Sequence, residues 1–394
     1  MLRLIVKNFG VLKDIDIELH ETNLFIGDNG SGKSTLAKLI TIIADFTLDE
    51  DEILQRLKEF DIDFINKKTF IQLQEENELI LKIDTLNIIF SSSKKELLQA
   101  QEKHKTLSKI NNKINEIESK GLLDKAIKIM TEDDPSEAKT VKSLLEDQEL
   151  RTTLNNLSNT ITSLKTKYIP AERNLISIFN QSLSNIISAE IPLPKTLLKF
   201  SASYNSARNE IKTLDILGME YKNENSQDRI YYSSGRSLAL ENSSSGIQSA
   251  LPLYITLKYF ATKYLDIIIE EPELNLYPKS QIETVKFMIE NRGESSLSIM
   301  THSPYILSTL NMLIFAYKAS NTNNTLKEKI SAIIPQEQQI DPDNFSAYLI
   351  KNGISKNIKG ESTGMIQENT IDNIGDMLDD EFNELLDIYS EFEK

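Results

Sequence analysis

The chain has 394 residues, with 44 lysine and arginine residues against 59 aspartate and glutamate residues, a formal net charge of −15. This length allows about two or three folded units, and the composition, 40% hydrophobic and 26% charged, is that of a globular protein. The absence of cysteine excludes disulfides and cysteine metal sites, and there is no apolar run of about 18 residues, which a membrane span would need. We therefore expect a cytoplasmic protein without a membrane partner.

The N-terminal part of the chain alternates between strand and helix patterns. Apolar side chains alternate over residues 2–6 and 15–19, which is typical of strands that bury one face. The short apolar run at 23–26 predicts another strand, and apolar residues then recur at helical spacing over 36–43. Further strands are predicted within residues 69–91.

The next segment, up to residue 168, is polar and carries two apolar stripes with heptad-like spacing, at 107–117 and 150–164. Because Gly121 and Pro135 separate the stripes, they suggest an antiparallel helical hairpin; two amphipathic helices lying on the body explain the pattern equally well. Residues 94–130 hold nine lysines and five acidic residues, so any contact with DNA is expected there, although solvated helix surface is the simpler explanation.

After this segment, strand and helix patterns alternate again. The predicted elements are a helical region at about 173–216, β-like residues at 229–240, a helix at 247–263, a strand at 265–269, a helix at 279–291, a strand at 297–300 and a polar loop at 320–325. Apolar strands that alternate with helices are typical of an α/β body with a largely buried sheet.

A complete phosphate-binding motif, G-x-x-x-x-G-K-[ST], lies between the predicted strand at 23–26 and the following helix. Its residues are Gly27, Asp28, Asn29, Gly30, Ser31, Gly32, Lys33, Ser34 and Thr35. Glycines let the backbone wrap a phosphate, and the helix N-terminus supplies positive potential. We expect Lys33 to reach the β- and γ-phosphates of ATP and Ser34 to ligate Mg²⁺. The alternative, a glycine-rich turn without a ligand, is disfavoured by the complete pattern.

A pair of acidic residues, Glu270 and Glu271, follows the apolar run at 265–269, which places both at the tip of a buried strand. We expect Glu270 to hold Mg²⁺ and Glu271 to polarise the attacking water. Pro272 predicts an extended backbone at Glu271. The alternative is that both acids are simply solvated at the strand end. The upstream phosphate-binding motif favours the functional interpretation.

Two further segments complete the pattern. His302 follows the apolar strand at 297–300, where it could contact a γ-phosphate or position water; a structural histidine is the alternative. Ser245 and Gly246 belong to a serine-rich loop, residues 242–249, just before a helix. Such loops are common linkers, and only the order of the motifs along the chain favours a functional role.

Together these motifs resemble the ABC-type ATPase heads of the SMC/RecF-like superfamily. More narrowly, they look like the overcoming-lysogenisation-defect (OLD)-like and AAA-type ATPases of bacterial anti-phage defence. The corresponding segments are Walker A at 27–35, the signature loop at 244–248, Walker B with its extension at 270–273, the switch histidine at 301–304, and a further motif of these ATPases at 168–173. The resemblance covers residues 1 to about 92 and about 168 to 315.

The resemblance implies an ABC-ATPase-like P-loop NTPase of the α/β class, with a mixed sheet, a helical insertion and a C-terminal helical tail. The expected boundaries are 1–92 and 168–315 for the ATPase head, 93–167 for the insertion and 316–394 for a C-terminal extension. It also implies a homodimer or higher homo-oligomer around two ATP–Mg²⁺, in which Ser245 and Gly246 of one subunit close over the γ-phosphate bound by the other.

Departures from the family pattern narrow the assignment. Ile247 stands where transporters carry a second glycine, Walker B opens with Glu270 rather than aspartate, and Tyr277 stands where related sequences often have histidine. These differences weaken a transporter assignment. OLD enzymes carry a C-terminal Toprim nuclease; here the acidic pair at 341–343 lacks the preceding Glu-Gly and predicts a turn, so we expect no nuclease domain.

The C-terminal segment is acidic and carries an apolar stripe at helical spacing over residues 378–392. A terminal helix packed on the body and a docking helix for a separately encoded effector are both compatible with it. Family resemblance suggests a role in anti-phage defence. The alternatives are a RecF-like DNA-repair ATPase, which predicts salt-sensitive DNA binding, and a scaffold or sensor that binds ATP and hydrolyses it very slowly.

Overall fold

The computed structural model describes residues 1–85, 87–102, 163–179, 193–367 and 382–385. The predicted helical hairpin and most of the predicted C-terminal stripe lie outside these residues. Among the described residues, no helix is both long enough and apolar enough to cross a lipid bilayer.

The described helices and strands follow one another as in an α/β protein. The helices are α1 (Lys33–Ile43), α2 (Glu50–Glu59), α3 (Leu175–Phe179), α4 (Lys195–Glu210), α5 (Ser245–Phe260), α6 (Pro278–Asn291), α7 (Pro304–Ser320) and α8 (Asn324–Ser331). The strands are β1 (Leu2–Phe9), β2 (Leu12–Leu19), β3 (Thr22–Ile26), β4 (Phe70–Glu75), β5 (Glu78–Asp84), β6 (Asn87–Phe90), β7 (Thr166–Ile169), β8 (Thr213–Ile216), β9 (Met219–Glu224), β10 (Gln227–Tyr231), β11 (Ser237–Ala239), β12 (Asp266–Glu270), β13 (Ser296–Thr301), β14 (Phe345–Lys351) and β15 (Ile354–Asn357).

The large sheet is mixed, in the order β6-β5-β4-β1-β2-β15-β14-β3-β13-β12-β7. Strands β14, β3, β13, β12 and β7 run parallel to their neighbours in this part of the sheet, whereas β6, β5, β4, β1 and β2 form an antiparallel meander. The predicted α/β fold with a mixed sheet is confirmed. Because β3, β12 and β13 are parallel, the residues that follow them meet at one edge, where ligands bind in open α/β sheets.

Hydrophobic cores lie on both faces of this sheet, which explains the unbroken apolar run of β12. Within β12, Ile267 and Ile269 pack into the core formed with α4, α5, α6 and α7, whereas Ile268 packs into the core formed with α1 and α2. Burial of each such side chain contributes about 2 kcal/mol. The two covered faces hold the strand tips in fixed positions.

A second, four-stranded antiparallel sheet has the order β11-β10-β9-β8. The β-like character predicted at 229–240 is confirmed, but the predicted helical region at 173–216 is wrong at its end, because residues 213–216 form β8. A turn with positive φ angles at Leu217 and Gly218 returns the chain into β9. This sheet is anchored by Asp228, which accepts hydrogen bonds from Tyr204, Tyr221, Arg208 and Asn223.

Strands β14 and β15 lie inside the large sheet, between β3 and β2, although the sequence indicated no strand in this part of the chain. Their hairpin turns through Asn352 and Gly353, both with positive φ. The Gly353 N–H donates to the carbonyl of Ser31 at 3.3 Å, so the tip of the hairpin rests on the phosphate-binding loop. The polar loop expected at 320–325 is shorter than predicted, because α7 extends to Ser320 and α8 begins at Asn324.

Candidate active site

The loop between β3 and α1 depends on its glycines for different reasons. Gly30 and Gly32 have φ angles of 77° and 110°, which glycine adopts most readily. At Gly27 the reason is space, since a Cβ there would lie 2.1 Å from the carbonyl oxygen of Ile350 in β14. The loop therefore turns sharply against β14 and leads directly into the N-terminus of α1, a favourable place for an anion.

Lys33 is the first residue of α1, and only 8% of it is exposed. Its Nζ donates to the carbonyl oxygens of Gly27 at 2.6 Å and Asp28 at 3.0 Å, which holds the ammonium group against the loop. Burial lowers the pKa of Lys33, and the negative charges of Glu271 and Glu273 oppose that shift. A cation that is partly desolvated in this way interacts more strongly with phosphate than one in bulk water.

A cavity of about 220 Å³ opens beside this loop. Its lining includes six of the predicted loop residues together with the acidic pair: Asn29, Gly30, Gly32, Lys33, Ser34, Thr35, Glu270 and Glu271. Gly27, Asp28 and Ser31 shape the loop without lining the cavity. Val11, from the turn between β1 and β2, forms part of the wall. The structure thus brings the predicted phosphate-binding and acidic residues to one place.

Glu270 ends β12 and is 5% exposed. Burial raises the pKa of Glu270 to about 7, and a hydrogen bond from Tyr168 acts in the opposite direction. Its Oε1 atom is buried and has no hydrogen-bond partner among the described residues. A carboxylate oxygen without a partner, in the same cavity as the Ser34 hydroxyl, fits Mg²⁺, which prefers hard oxygen ligands and shares them with substrate phosphates.

Pro272 predicted an extended backbone at Glu271, and this prediction is wrong. The φ angle of Glu271 is 43°, in the left-handed region. Its N–H donates to the carbonyl of Met300 in β13 at 2.8 Å, and its own carbonyl accepts from Arg173 at 2.7 Å. These tertiary hydrogen bonds hold a conformation that costs a non-glycine residue about 1 kcal/mol or more. Such local strain is common at functional sites.

His302 follows β13 and lies close to the acidic pair without lining the cavity. Its side chain is 44% exposed, and its Nδ1 is 3.9 Å from Glu271 Oε1 and 3.7 Å from Glu273 Oε1, both beyond hydrogen-bonding distance. Glu273 fixes this strand tip, because its Oε1 accepts from the Thr301 hydroxyl at 2.7 Å and from the His302 N–H at 3.0 Å. Sequence reasoning had given Glu273 no such role.

The serine-rich loop before α5 lies outside this cavity. Ser245 is exposed at the start of α5, and Gly246 packs so closely that a Cβ would lie 2.9 Å from the carbonyl oxygen of Asn275. The Gln248 side-chain amide donates to the carbonyls of Glu241 and Ser243, which fixes the loop. Within one chain, Ser245 therefore faces outward, whereas Gly246 is half-buried against the segment at Asn275.

Arg173 connects this loop region to the acidic pair. It is fully buried, and its guanidinium donates to the carbonyl oxygens of Ser249 in α5 at 3.0 Å, Glu270 at 2.7 Å and Glu271 at 2.7 Å. A fourth hydrogen bond, at 3.1 Å, reaches Pro170. Burial lowers the pKa of Arg173 to about 10, so it stays charged at neutral pH. The sequence pointed to Arg173 only as part of a family motif, without a role.

The fold and this cavity define a class: an α/β P-loop protein whose glycine-rich loop, buried lysine and strand-tip carboxylates suit a nucleotide. Residues 1–307 match the family model of the AAA ATPase domain. The chain belongs to this ATPase family. A comparison with curated proteins gives no match.

The matches among solved structures include SMC head domains. The SMC head domain from Thermotoga maritima shares 13% identity over 91% of this chain and 98% of its own, with a TM-score of 0.39. The Pyrococcus furiosus SMC head domain with an extended coiled coil, bound to the C-terminal domain of ScpA, shares 12% identity over 91% and 96%, with a TM-score of 0.37. The ABC transporter component cbiO1 from Clostridium perfringens shares 11% over 90% and 86%, with a TM-score of 0.32.

Proposed function

We propose that this protein binds and hydrolyses ATP as an ABC-type ATPase and assembles as an ATP-bridged dimer. The observation that carries the proposal is the cavity in which Lys33, Ser34, Glu270 and Glu271 meet. Two separate chain segments, the loop that leads into α1 and the tip of β12, supply these groups, and each brings chemistry that nucleotide hydrolysis requires.

Binding of the triphosphate is assigned to the loop and to Lys33. The ammonium group already lies against the loop, where it neutralises charge on the β- and γ-phosphates. The Ser34 hydroxyl and the unpartnered Oε1 of Glu270 would hold Mg²⁺. When bound, Mg²⁺ neutralises phosphate charge and makes the γ-phosphate more susceptible to attack.

Hydrolysis is assigned to Glu271, whose carboxylate orients the attacking water and accepts its proton. Its backbone is held on both sides, by Met300 and by Arg173, so the side chain leaves the strand tip in a defined direction. Glu273 holds the His302 backbone near Glu271, which would let the imidazole contact the γ-phosphate once a nucleotide is present.

Dimerisation is supported by the loop before α5. Ser245 and Gly246 do not line the cavity of their own subunit. Ser245 is exposed and Gly246 is half-buried, on a support linked to the acidic pair through Arg173. A second copy of the chain would bring these residues over the γ-phosphate, where the helix N-terminus stabilises negative charge. The site is complete only with both copies.

The Glu271→Gln variant tests this function. Glutamine keeps the shape of the side chain but cannot accept a proton, so phosphate release should fall by about 10²- to 10⁴-fold. ATP should then trap a dimer, which light scattering after size-exclusion chromatography would detect with and without ATP–Mg²⁺. The exposed Glu294→Gln is a matched control for loss of one carboxylate and should behave like the wild type.

Each alternative outcome has a consequence. Hydrolysis at the wild-type rate would remove Glu271 as the base, and a monomer that still binds ATP would contradict the composite site. If the wild-type protein forms a dimer with ATP but hydrolyses it very slowly, the result would instead favour the alternative function, an ATP-binding scaffold or sensor.

A role in anti-phage defence, through a separately encoded effector in the cytoplasm, is a proposal that rests on the family resemblance. The apolar stripe at 378–392 is the candidate docking segment; within it, Phe382 and Leu385 are 60% and 64% exposed. Phe382→Asp with Leu385→Asp should lower co-purification of the effector while the melting temperature stays unchanged. A large fall in melting temperature would show that the stripe is core instead. ATP-dependent, salt-sensitive DNA binding would favour the RecF-like alternative.

A further inference from the structure

A second cleft lies over β7, the edge strand of the large sheet. Its volume is about 320 Å³, larger than that of the cavity at the phosphate-binding loop. We call it the β7 cleft; its walls include Thr41, Arg56, Lys167, Lys199, Phe200 and Tyr264. These residues come from α1, α2, β7, α4 and the segment after α5, so several packed elements build the cleft.

The β7 cleft is basic, although the chain as a whole is acidic. Its lining contains four cationic side chains, Arg56, Lys165, Lys167 and Lys199, and one carboxylate, that of Asp45. The whole chain carries a net charge of −15. Cations gathered in a cleft with low-dielectric walls produce a local positive potential that attracts anions.

Most of these cations lack a carboxylate partner. Lys199 forms an ion pair with Glu59. Within the described part of the chain, by contrast, Arg56 and Lys165 form no side-chain hydrogen bond or ion pair, and Lys167 bonds only to an uncharged hydroxyl. Lysine and arginine are rarely buried fully without a partner. The Asp45 carboxylate interacts electrostatically with Arg56 and Lys165, so the four cations exceed the carboxylates of Asp45 and Glu59 by two positive charges that remain to be balanced.

The effect of this unbalanced positive charge is clearest at Lys167. Its Nζ donates to the Ser203 hydroxyl and lies 4.0 Å from the centroid of the Phe260 ring. Burial lowers the pKa of Lys167 to about 8, and the nearby positive charge of Arg56 lowers it as well. Arg56 and Lys167 therefore repel each other across a partly desolvated space, and a bound anion would relieve that repulsion.

We propose that the β7 cleft binds a phosphate monoester, carried either by a free nucleotide or by the 5′ end of a DNA strand. The charge decides between anions: a phosphate monoester carries about −1.5 to −2 at neutral pH, enough to balance more than one unpartnered cation, whereas a carboxylate or a phosphodiester carries about −1. The Arg56 guanidinium offers forked donors to two phosphate oxygens, and Lys167 and Lys165 add point charges. This inference does not depend on the proposed ATPase activity.

Binding can be measured in the Lys33→Ala background, which weakens the phosphate-binding loop, with AMP and with a short single-stranded DNA bearing either a 5′-phosphate or a 5′-hydroxyl. We expect one molecule of AMP or of 5′-phosphorylated DNA per chain by calorimetry. Arg56→Met with Lys167→Met should weaken this binding about tenfold or more. The matched control is Lys279→Met with Lys329→Met, which removes the same charge at exposed positions on α6 and α8.

The three probes distinguish a free nucleotide from a DNA end as the carrier of the phosphate, and they can also overturn the proposal. Binding of AMP alone assigns the cleft to free nucleotides, and a preference of about tenfold or more for the 5′-phosphate over the 5′-hydroxyl assigns it to strand ends. Measurable binding of both DNA strands with equal affinity, an equal loss in the control variant, or no binding by any probe would overturn the proposal. If the double variant unfolds, Lys165→Met alone should still weaken binding, and wild-type affinity in that variant would be equally decisive against it.

Discussion

The phosphate-binding loop and the loop before α5 are both small-residue turns that lead into a helix N-terminus, yet they are oriented differently. In the first, Lys33 is buried and lines a partly open cavity with residues from other strands. In the second, Ser244 and Ser245 are exposed, and the described residues of the same chain leave them facing outward. The two turns have similar local chemistry but opposite surroundings.

The difference indicates a division of labour. An enclosed loop can bind a phosphate by itself, since burial strengthens each electrostatic contact. An exposed loop on a rigid base contributes only when another molecule covers it. Arg173 links the helix that follows the exposed loop to the acidic pair of the cavity, because its guanidinium bonds to the carbonyl of Ser249 in α5 and to those of Glu270 and Glu271.

Arg173→Met should have the largest effect, because it removes the link. Four carbonyl groups would lose their donor inside the protein, and since each buried acceptor left unsatisfied costs about 1 kcal/mol or more, we expect the free energy of unfolding to fall by about 3–5 kcal/mol. If the guanidinium also positions Glu271, kcat should fall while the KM for ATP changes little. Arg173→Lys should restore stability only in part. A variant with normal stability, or a loss in KM alone, would contradict this positioning role.

Lys33→Ala should remove tight ATP binding without altering the exposed loop. The ammonium group supplies charge that backbone N–H groups cannot replace, so titration calorimetry should show a loss of about 100-fold in affinity. The exposed Lys279→Ala is the control. Affinity like that of the wild type would refute the assignment of the phosphate-binding loop.

Ser245→Glu should have the converse effect. A carboxylate at this exposed position is tolerated in the monomer, but in a dimer it would face the γ-phosphate of the partner, so ATP-dependent dimerisation should weaken by about 10- to 30-fold. ATP binding by the monomer should stay within about twofold of the wild type. Ser234→Glu, at another exposed serine, should dimerise normally. Normal dimerisation of Ser245→Glu would show that this loop does not meet a nucleotide.

The smallest effect concerns pH. Because burial raises the pKa of Glu270 to about 7, the ionised carboxylate that would ligate Mg²⁺ is present above that pH and is lost as the pH falls. We expect the gain in ATP affinity from Mg²⁺ to decrease about five- to tenfold between pH 8 and pH 6. Glu270→Gln should abolish this dependence. A gain that is constant with pH would exclude Glu270 as the ligand.

Comparison of the sequence with the structure shows which expectations local pattern could support. Strands β3, β12 and β13 were predicted, because each contains a short run of mostly apolar residues that is recognisable from the local sequence. Strands β14 and β15 were missed: their order in the sheet, between β3 and β2, is a long-range property of the chain. The same holds for β8, which forms by pairing with β9.

For the site, the sequence by itself determined which groups are present. The spacing from Gly27 to Thr35, and the acids that follow an apolar run, are local patterns whose chemistry can be read without a fold. Tertiary structure decided their surroundings: the left-handed backbone of Glu271, the hydrogen bonds of Glu273 to the His302 strand tip, and the bridge made by Arg173. The physical reason is the distance along the chain over which the interacting residues lie. Motifs arise from neighbours along the chain, whereas burial, strain and an arginine shared by distant carbonyls arise only when separate segments pack together.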